Sequence, residues 1–130
     1  MSTMYLSKGE DQQVNVVLAC TEDVYAWQAG VTYPNCMTVG NIVSNPLVPD
    51  MEFFFKDHTD RKMLLSLSLD FDLPISRLDE GGTFSLFSQK FQRVTGPMGM
   101  VVLLTDFSKI FDAKGDRLPL SFGKSMIWIQ

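Results

Sequence analysis

The stretch Lys62-Met-Leu-Leu-Ser-Leu-Ser-Leu-Asp-Phe71 carries the clearest pattern in the sequence. Every second position is a large apolar side chain, namely Met63, Leu65, Leu67, Leu69 and Phe71. The positions between them hold Leu64, Ser66, Ser68 and Asp70. Successive side chains of a β-strand point to opposite faces, so this alternation predicts a strand with one buried face.

Six further segments predict strands from their alternation or their β-branched and aromatic content. They are Val14–Ala19, Met37–Val43, Met51–Lys56, Thr83–Val94, Met98–Leu104 and Lys124–Gln130. Turns are expected over Lys56–Arg61 and at Gly81-Gly82. Met98–Leu104 is apolar on both faces, which predicts a strand that is covered on both sides. Pro119 cannot donate a ladder hydrogen bond, so its segment is expected at a sheet edge or in a loop.

Two segments predict short helices. Asp106 suits an N-cap, Phe107 and Ile110 take helical spacing after it, and Gly115 suits the end. Thr21 suits the cap of a second helix over Glu22–Ala29, although Val24–Trp27 would also serve as a strand. These elements predict a mainly-β fold, a single-domain β-sandwich or barrel of about seven strands with one or two short helices. An α+β fold is the alternative.

Length and charge narrow the class of protein. The 130 residues, 45% of them apolar, predict one globular domain over 1–130 with a core that needs no metal or disulfide. The net charge of -4 argues against nucleic-acid binding, because there is no basic surplus to neutralise phosphates. The sequence shows no signal-peptide pattern and no apolar run of the roughly 20 residues that a membrane span needs. We therefore expect a cytoplasmic or virion protein that does not insert into membranes.

Residues that could carry chemistry are scarce. His58 is the only histidine, which excludes metal sites with two or three histidines, and no nucleophile motif accompanies it. Asp70 and Asp72 would share one face of a strand and could bind a cation, but their spacing is unspecific. Cys20 and Cys36 form no CxxC pair, and whether they form a disulfide stays open. The sequence predicts no catalytic residue, no cofactor and no enzyme activity.

The run Phe53-Phe54-Phe55 places a large apolar side chain on both faces of one strand. Either a closed barrel or a helix packed over one sheet face covers both sides of the strand, or one face is a contact surface for another protein. The leading hypothesis is a non-enzymatic structural or assembly protein that acts through contacts with protein subunits, as a homo- or hetero-oligomer. A component of a viral or phage particle is its concrete version. The candidate interface residues are Phe53, Phe54, Phe55, Met126 and Trp128.

Two other functions remain open at this point. A small acidic inhibitor or immunity-type protein would bind a basic protein partner through an acidic face. The candidates for that face are Asp70, Asp72, Asp79 and Glu80. A small-ligand-binding barrel would need an internal cavity inside a closed sheet.

Overall fold

The computed structural model describes residues 1–46, 51–58, 61–71, 83–94 and 100–129. Within these ranges the chain forms strands and turns and no helix, so the mainly-β prediction is confirmed. The strands are β1 (Ser2–Lys8), β2 (Gln13–Ala19), β3 (Ala26–Pro34), β4 (Met37–Ser44), β5 (Met51–His58), β6 (Arg61–Leu69), β7 (Thr83–Arg93), β8 (Met100–Leu104), β9 (Lys109–Phe111), β10 (Leu120–Phe122) and β11 (Met126–Ile129).

The strands form two sheets that pack face to face. Sheet 1 has the order β10-β1-β2-β7-β4, and sheet 2 has the order β11-β8-β3-β6-β5 with β9 paired to the first part of β3. Neighbouring strands are antiparallel, except that β10 runs parallel to β1. The architecture is a β-sandwich, and the described strands do not close into a barrel.

Aromatic rings from both sheets meet in the core. The ring of Trp27 on β3 stacks on Phe87 of β7, with centroids 5.9 Å apart and planes at 13°. Phe53 of β5 meets the same Phe87 ring edge-on at 5.6 Å. Aromatic pairs contribute roughly 0.5–1.5 kcal/mol beyond the area they bury. Because Trp27 and Phe53 belong to sheet 2 and Phe87 to sheet 1, this cluster holds the two sheets together.

Strand β6 turns Ser66 and Ser68 inward together with Leu64, and it turns Leu65, Leu67 and Leu69 outward. Ser66 and Ser68 are buried at 1% and 2% exposure, whereas Leu69 is 53% exposed and Leu65 and Leu67 are half-buried. An alternating strand normally places its apolar face on the core. Here the pattern correctly predicts a strand, and the apolar face lies on the outside of the sandwich.

The bulk of the neighbouring side chains explains this orientation. In the register of sheet 2, Ser68 lies opposite Trp27, and Ser66 lies opposite Phe53. The two rings fill the interior beside β6, and small serine side chains fit between them at the close packing of a protein core. A shift of one residue would place leucines beside the same rings and overpack the core.

The predicted strands correspond to β2, β4, β5, β6, β7, β8 and β11, with shifts at their ends. Strand β6 ends at Leu69, so Phe71 lies beyond it in a bend. The turn predicted over Lys56–Arg61 is wrong at its ends, because β5 continues to His58 and β6 begins at Arg61. Residues 59 and 60, Gly81-Gly82 and the first residues of Met98–Leu104 lie outside the described ranges. Strand β10 lies at the edge of sheet 1, as the proline before it predicts.

The cover expected on both faces of Met98–Leu104 is absent from the described part. Strand β8 lies inside sheet 2 between β11 and β3, but Val101 and Leu103 remain partly exposed on its outer face. Strands β1, β3, β9 and β10 were not among the predicted strands.

Both predicted helices are wrong. The segment after Thr21 bends and then enters β3 at Ala26, which pairs with β6 along its whole length. Asp106 and Phe107 form a turn, and Lys109–Phe111 becomes β9. The ladder between β3 and β6 in the first case, and the ladder between β9 and β3 in the second, outweigh the local capping signals. Those signals contribute only about 1 kcal/mol each. In the described part of the chain, no helix has the length and apolar character to span a membrane.

The orientation of β6 predicts an unusual pair of stability effects. Ser66→Leu adds apolar bulk to a filled core and is expected to lower the free energy of unfolding by roughly 1–3 kcal/mol. Leu69→Ser removes an exposed side chain and is expected to change it by at most about 0.5 kcal/mol. Urea denaturation of both variants measures the two values. The opposite ranking would mean that β6 buries its leucines.

Candidate functional site

The outer face of sheet 1 is mostly polar and internally hydrogen-bonded. Thr3 Oγ1 and Ser121 Oγ lie 2.9 Å apart, and Ser88 Oγ donates to Asn15 Oδ1 at 2.6 Å. Cross-strand pairs of this kind stabilise a sheet face that water covers. By register the face also holds Tyr5, Ser7, Gln13, Val17, Ser85, Lys90 and Gln92.

The outer face of sheet 2 has the opposite character, and we name it the apolar face. Residues directly opposite each other in an antiparallel pair share a face. Phe54 lies opposite Leu65, Leu103 lies opposite Met126, and Val101 lies opposite Trp128. The register therefore assigns to the apolar face Ala26, Gln28, Gly30, Thr32, Glu52, Phe54, Arg61, Met63, Leu65, Leu67, Leu69, Val101, Leu103, Lys109, Phe111, Met126 and Trp128, so that a few polar and charged residues lie among the apolar ones.

Several large side chains of the apolar face are about half exposed. The exposed fraction is 49% for Phe54, 54% for Met126 and 57% for Trp128. Scattered single apolar residues are ordinary on protein surfaces, but a whole sheet face of them is not. Sheet 2 is thus apolar on both of its faces. Sheet 1 covers the inner face, and on the outer face Met63 and Thr32 are buried, at 4% and 8% exposure, whereas Phe54, Met126 and Trp128 are open to solvent.

The structure places only some of the predicted interface residues on the apolar face. Phe54, Met126 and Trp128 lie on the apolar face, but at opposite edges of it, on β5 and β11. Phe53 points inward onto Phe87. Phe55 pairs with Leu64 in the register, and its side chain lies outside what the structure describes. The leucines of β6, which join the two edges, were not among the candidates.

A four-residue loop, Thr105–Ser108, lies over the middle of the apolar face and is called the Phe107 loop below. It separates β8 from β9, both of which pair with β3. Gln28 Nε2 donates to the carbonyl oxygen of Phe107 at 2.6 Å. The backbone N–H of Thr105 donates to the carbonyl oxygen of Gly30 at 2.9 Å, and the N–H of Gly30 donates to Ser108 Oγ at 3.0 Å. The Phe107 side chain is 48% exposed.

Gly30 makes room for this loop. A Cβ atom at Gly30 would stand 2.6 Å from Thr105 Oγ1, 3.0 Å from the Cβ of Phe107 and 3.1 Å from Leu65 Cδ2. Real Cβ atoms do not approach other atoms at 2.6 Å, so a side chain here would push the loop away from the sheet. The same distances place the base of Phe107 beside Leu65, in the centre of the apolar face.

The acidic candidates are only partly described. The backbone N–H of Asp70 donates to the carbonyl oxygen of Tyr25 at 3.3 Å, and its side chain is half-buried. Asp72, Asp79 and Glu80 lie outside the described ranges. The acidic face and the paired carboxylates of Asp70 and Asp72 therefore stay predictions.

A surface cavity of about 550 Å³ lies on sheet 1 near the β1–β2 turn. Its lining is mainly polar and charged, with Lys8, Asp11, Gln12, Gly40, Lys90, Phe91 and Gln92. It is an open surface feature, distinct from the internal cavity that a ligand-binding barrel would need. In the described ranges no three His, Cys, Asp or Glu side chains are grouped to hold a metal ion. His58 ends β5 opposite Arg61.

Cys20 and Cys36 are not joined in a disulfide, and both lie half-buried against the core. Burial is the largest cause that raises the pKa of the Cys20 thiol, to about 12, and the carboxylates of Asp23 and Glu22 add to it. Each of these causes disfavours the negatively charged thiolate.

Comparison with known proteins identifies the fold. No protein-family model and no curated protein matches the sequence. Among solved structures, a non-cellulosomal cohesin from Archaeoglobus fulgidus matches with a TM-score of 0.68 at 19% identity, over 99% of this chain and 91% of that one. The chain has the cohesin fold.

Other cohesin structures agree with this assignment of the fold. The chain matches the structure of the CaDoc0917–CaCohA2 complex with a TM-score of 0.73 at 15% identity, over 100% of both chains. It matches a type I cohesin–dockerin complex from Clostridium thermocellum with a TM-score of 0.68 at 10% identity, over 99% of both chains. At these identities the cohesin likeness concerns the fold.

The raised pKa of Cys20 predicts slow alkylation of the native protein. At pH 8.5 native Cys20 is expected to react with iodoacetamide at least about 100-fold more slowly than the denatured chain, because the thiolate is the nucleophile. The pKa of Cys20 in the folded state exceeds the ordinary thiol value of 9.0, so this group favours the folded state below about pH 9 and loses that effect as pH rises towards 12.

Peptide mass spectrometry of the alkylated protein separates Cys20 from Cys36, and the Cys20→Ala variant provides the matched control. Equal alkylation rates of Cys20 in the native and urea-denatured chain would show that its thiol is not buried.

Proposed function

We propose that this chain is a non-catalytic protein-docking module that binds another protein through the apolar face of sheet 2. The observation that carries the proposal is the contrast between the two outer faces. The outer face of sheet 1 pairs Ser, Thr and Asn side chains, whereas that of sheet 2 exposes Phe54, Leu69, Met126 and Trp128. A sandwich needs only its inner faces to be apolar, so the second apolar face supports a contact with a partner.

The size of the apolar face suits one side of a stable protein–protein contact. Five strands about 4.8 Å apart make it about 19 Å wide, and the length of β6 makes it about 26 Å long. The projected area is then roughly 500 Å², a large part of the ~800 Å² that each partner contributes to a standard interface. Its aromatic and Met side chains are types that interfaces favour.

The solved complexes favour a partner that differs from this chain. Two of them are complexes of a cohesin with a dockerin, one of which joins the sixth cohesin of Acetivibrio cellulolyticus scaffoldin B to the Cel5 dockerin. We propose that this chain likewise binds a different protein, and a dockerin-like module is the first class to test.

The other assembly hypotheses give different outcomes. A subunit of a viral or phage particle would use the apolar face against copies of itself. An acidic inhibitor would bind a basic protein through the region of Asp70, and its binding would weaken steeply with salt. Docking through the apolar face is expected to depend little on salt, because burial of apolar surface supplies most of the free energy.

Site-specific crosslinking tests the proposal. The photoreactive amino acid p-benzoylphenylalanine replaces Phe54 or Trp128 on the apolar face, or Val43 on sheet 1, which is exposed to a similar extent at 59%. In lysate of the source organism, positions 54 and 128 are expected to give the same discrete adduct with one other protein. Position 43 is expected to give none, and the yields at 0.1 M and 0.5 M NaCl are expected to agree within about twofold.

Mass spectrometry of the adducts distinguishes the alternatives. An adduct of twice the mass of the chain would identify self-assembly, and loss of the adduct at 0.5 M NaCl would favour the acidic alternative. Equal labelling from all three positions, or no adduct from positions 54 and 128, would contradict docking through the apolar face.

A further inference from the structure

We infer that Phe107 is the anchor that determines which partner the apolar face accepts, and that this partner is a different protein with an apolar notch that receives the Phe107 ring. The inference rests on the proposed docking function. It names the residue that projects from an otherwise flat sheet face, and it states the shape that the partner must have to receive this residue.

The Phe107 loop interrupts the flat surface of sheet 2. Leu104 ends β8 and Lys109 begins β9, and both strands pair with β3. The four loop residues between them lie opposite only two residues of β3, Ala29 and Gly30. The loop therefore has two more residues than the segment of β3 that it spans, and the extra residues project out of the sheet. Phe107 lies within this projection, beside Leu65.

Hydrogen bonds to β3 hold the projection in place. The Gln28 side chain fixes the Phe107 carbonyl, and Thr105 Oγ1 donates to the Gly30 carbonyl at 3.1 Å. Within the loop, the Ser108 N–H donates to the Thr105 carbonyl at 3.0 Å. A backbone fixed before binding loses less conformational entropy when the partner arrives, which increases affinity.

The chemistry of Phe107 suits a binding anchor. A phenylalanine side chain has only two rotatable bonds, offers a large apolar area and is about half exposed here. Interface residues that carry most of the binding energy are typically large side chains near the centre of a contact, surrounded by others that exclude water. By register, Leu65 and Leu67 lie on one side of the loop, and Leu103 and Met126 lie on the other, and these side chains supply such surroundings.

The shape of the apolar face argues against a second copy of the chain as the partner. Two copies that meet through the same face need a hole for each projection on that face. One cavity large enough for a side chain, of about 550 Å³, lies on sheet 1 rather than on the apolar face, and its lining includes Lys8, Asp11 and Lys90. A phenyl ring would desolvate these charges without pairing them.

Selection of synthetic binders provides the test, because it reports the intrinsic binding preference of the surface. About ten independent binders are selected against the wild-type chain from a display library of small helical domains, and their affinities for variants are measured by biolayer interferometry. Most are expected to bind Phe107→Ser at least 10-fold more weakly than wild type, and Phe107→Tyr within threefold. Phe122→Ser, an exposed phenylalanine on β10, is the matched control and is expected to have no effect.

A positioning role for Gln28 gives a second measurement. Gln28→Ala keeps the Phe107 ring but frees its carbonyl, so hydrogen exchange at the N–H groups of the Phe107 loop is expected to accelerate. The affinity of the Phe107-dependent binders is expected to fall about 3- to 10-fold, while the circular dichroism spectrum stays unchanged.

The double variant Phe54→Asp, Trp128→Asp separates the proposed docking function of the apolar face from the proposed role of Phe107. Binders that lose affinity for this variant but are indifferent to Phe107→Ser would overturn the role of Phe107 and leave docking through the apolar face standing. If most binders keep their affinity for the double variant, the preference for the apolar face is overturned, and the inference about Phe107 with it. Since Phe54 and Trp128 are both about half exposed, the double variant is expected to fold, and Leu69→Asp repeats the test at a third exposed position.

Discussion

The contact of Trp27 and Phe53 with the ring of Phe87 is the interaction on which the arrangement of sheet 2 depends. These rings bring β3, β5 and β7 together across the sandwich and take up the space beside β6. Beside these rings the interior side of β6 holds the small side chains of Ser66 and Ser68, and Leu64 fills the core further along the strand. Leu65, Leu67 and Leu69 consequently point outward, because side chains alternate strictly along a strand.

The outward leucines give the molecule a second apolar surface without weakening its core. Phe54 extends this surface to one edge of sheet 2, and Trp128 extends it to the other. The polar outer face of sheet 1 shows that the sandwich does not require such a surface for folding. One apolar side therefore follows from core packing, and the loop around Phe107 gives it a distinct shape. We propose that this side serves docking.

The sequence predicts the strands better than it predicts their faces. Alternation identifies β6 as a strand, but either of its faces could be the buried one. Trp27 and Phe53, which lie in other strands, determine which face is buried. The helix signals around Asp106 fail because β3, about 75 residues away along the chain, supplies a ladder partner that no local pattern reveals. Phe107 was missed as an exposed residue for the same reason, since its loop depends on the absence of a side chain at Gly30.

Cysteine accessibility along β6 tests the central claim most directly. Single cysteines replace Ser66, Leu67, Ser68 or Leu69 in a background in which Cys20 and Cys36 are alanine, and the rate of maleimide labelling of the native chain is measured for each. The account predicts fast labelling at positions 67 and 69 and slow labelling at positions 66 and 68. The reverse pattern would show that β6 buries its leucines, and the apolar face would then not exist.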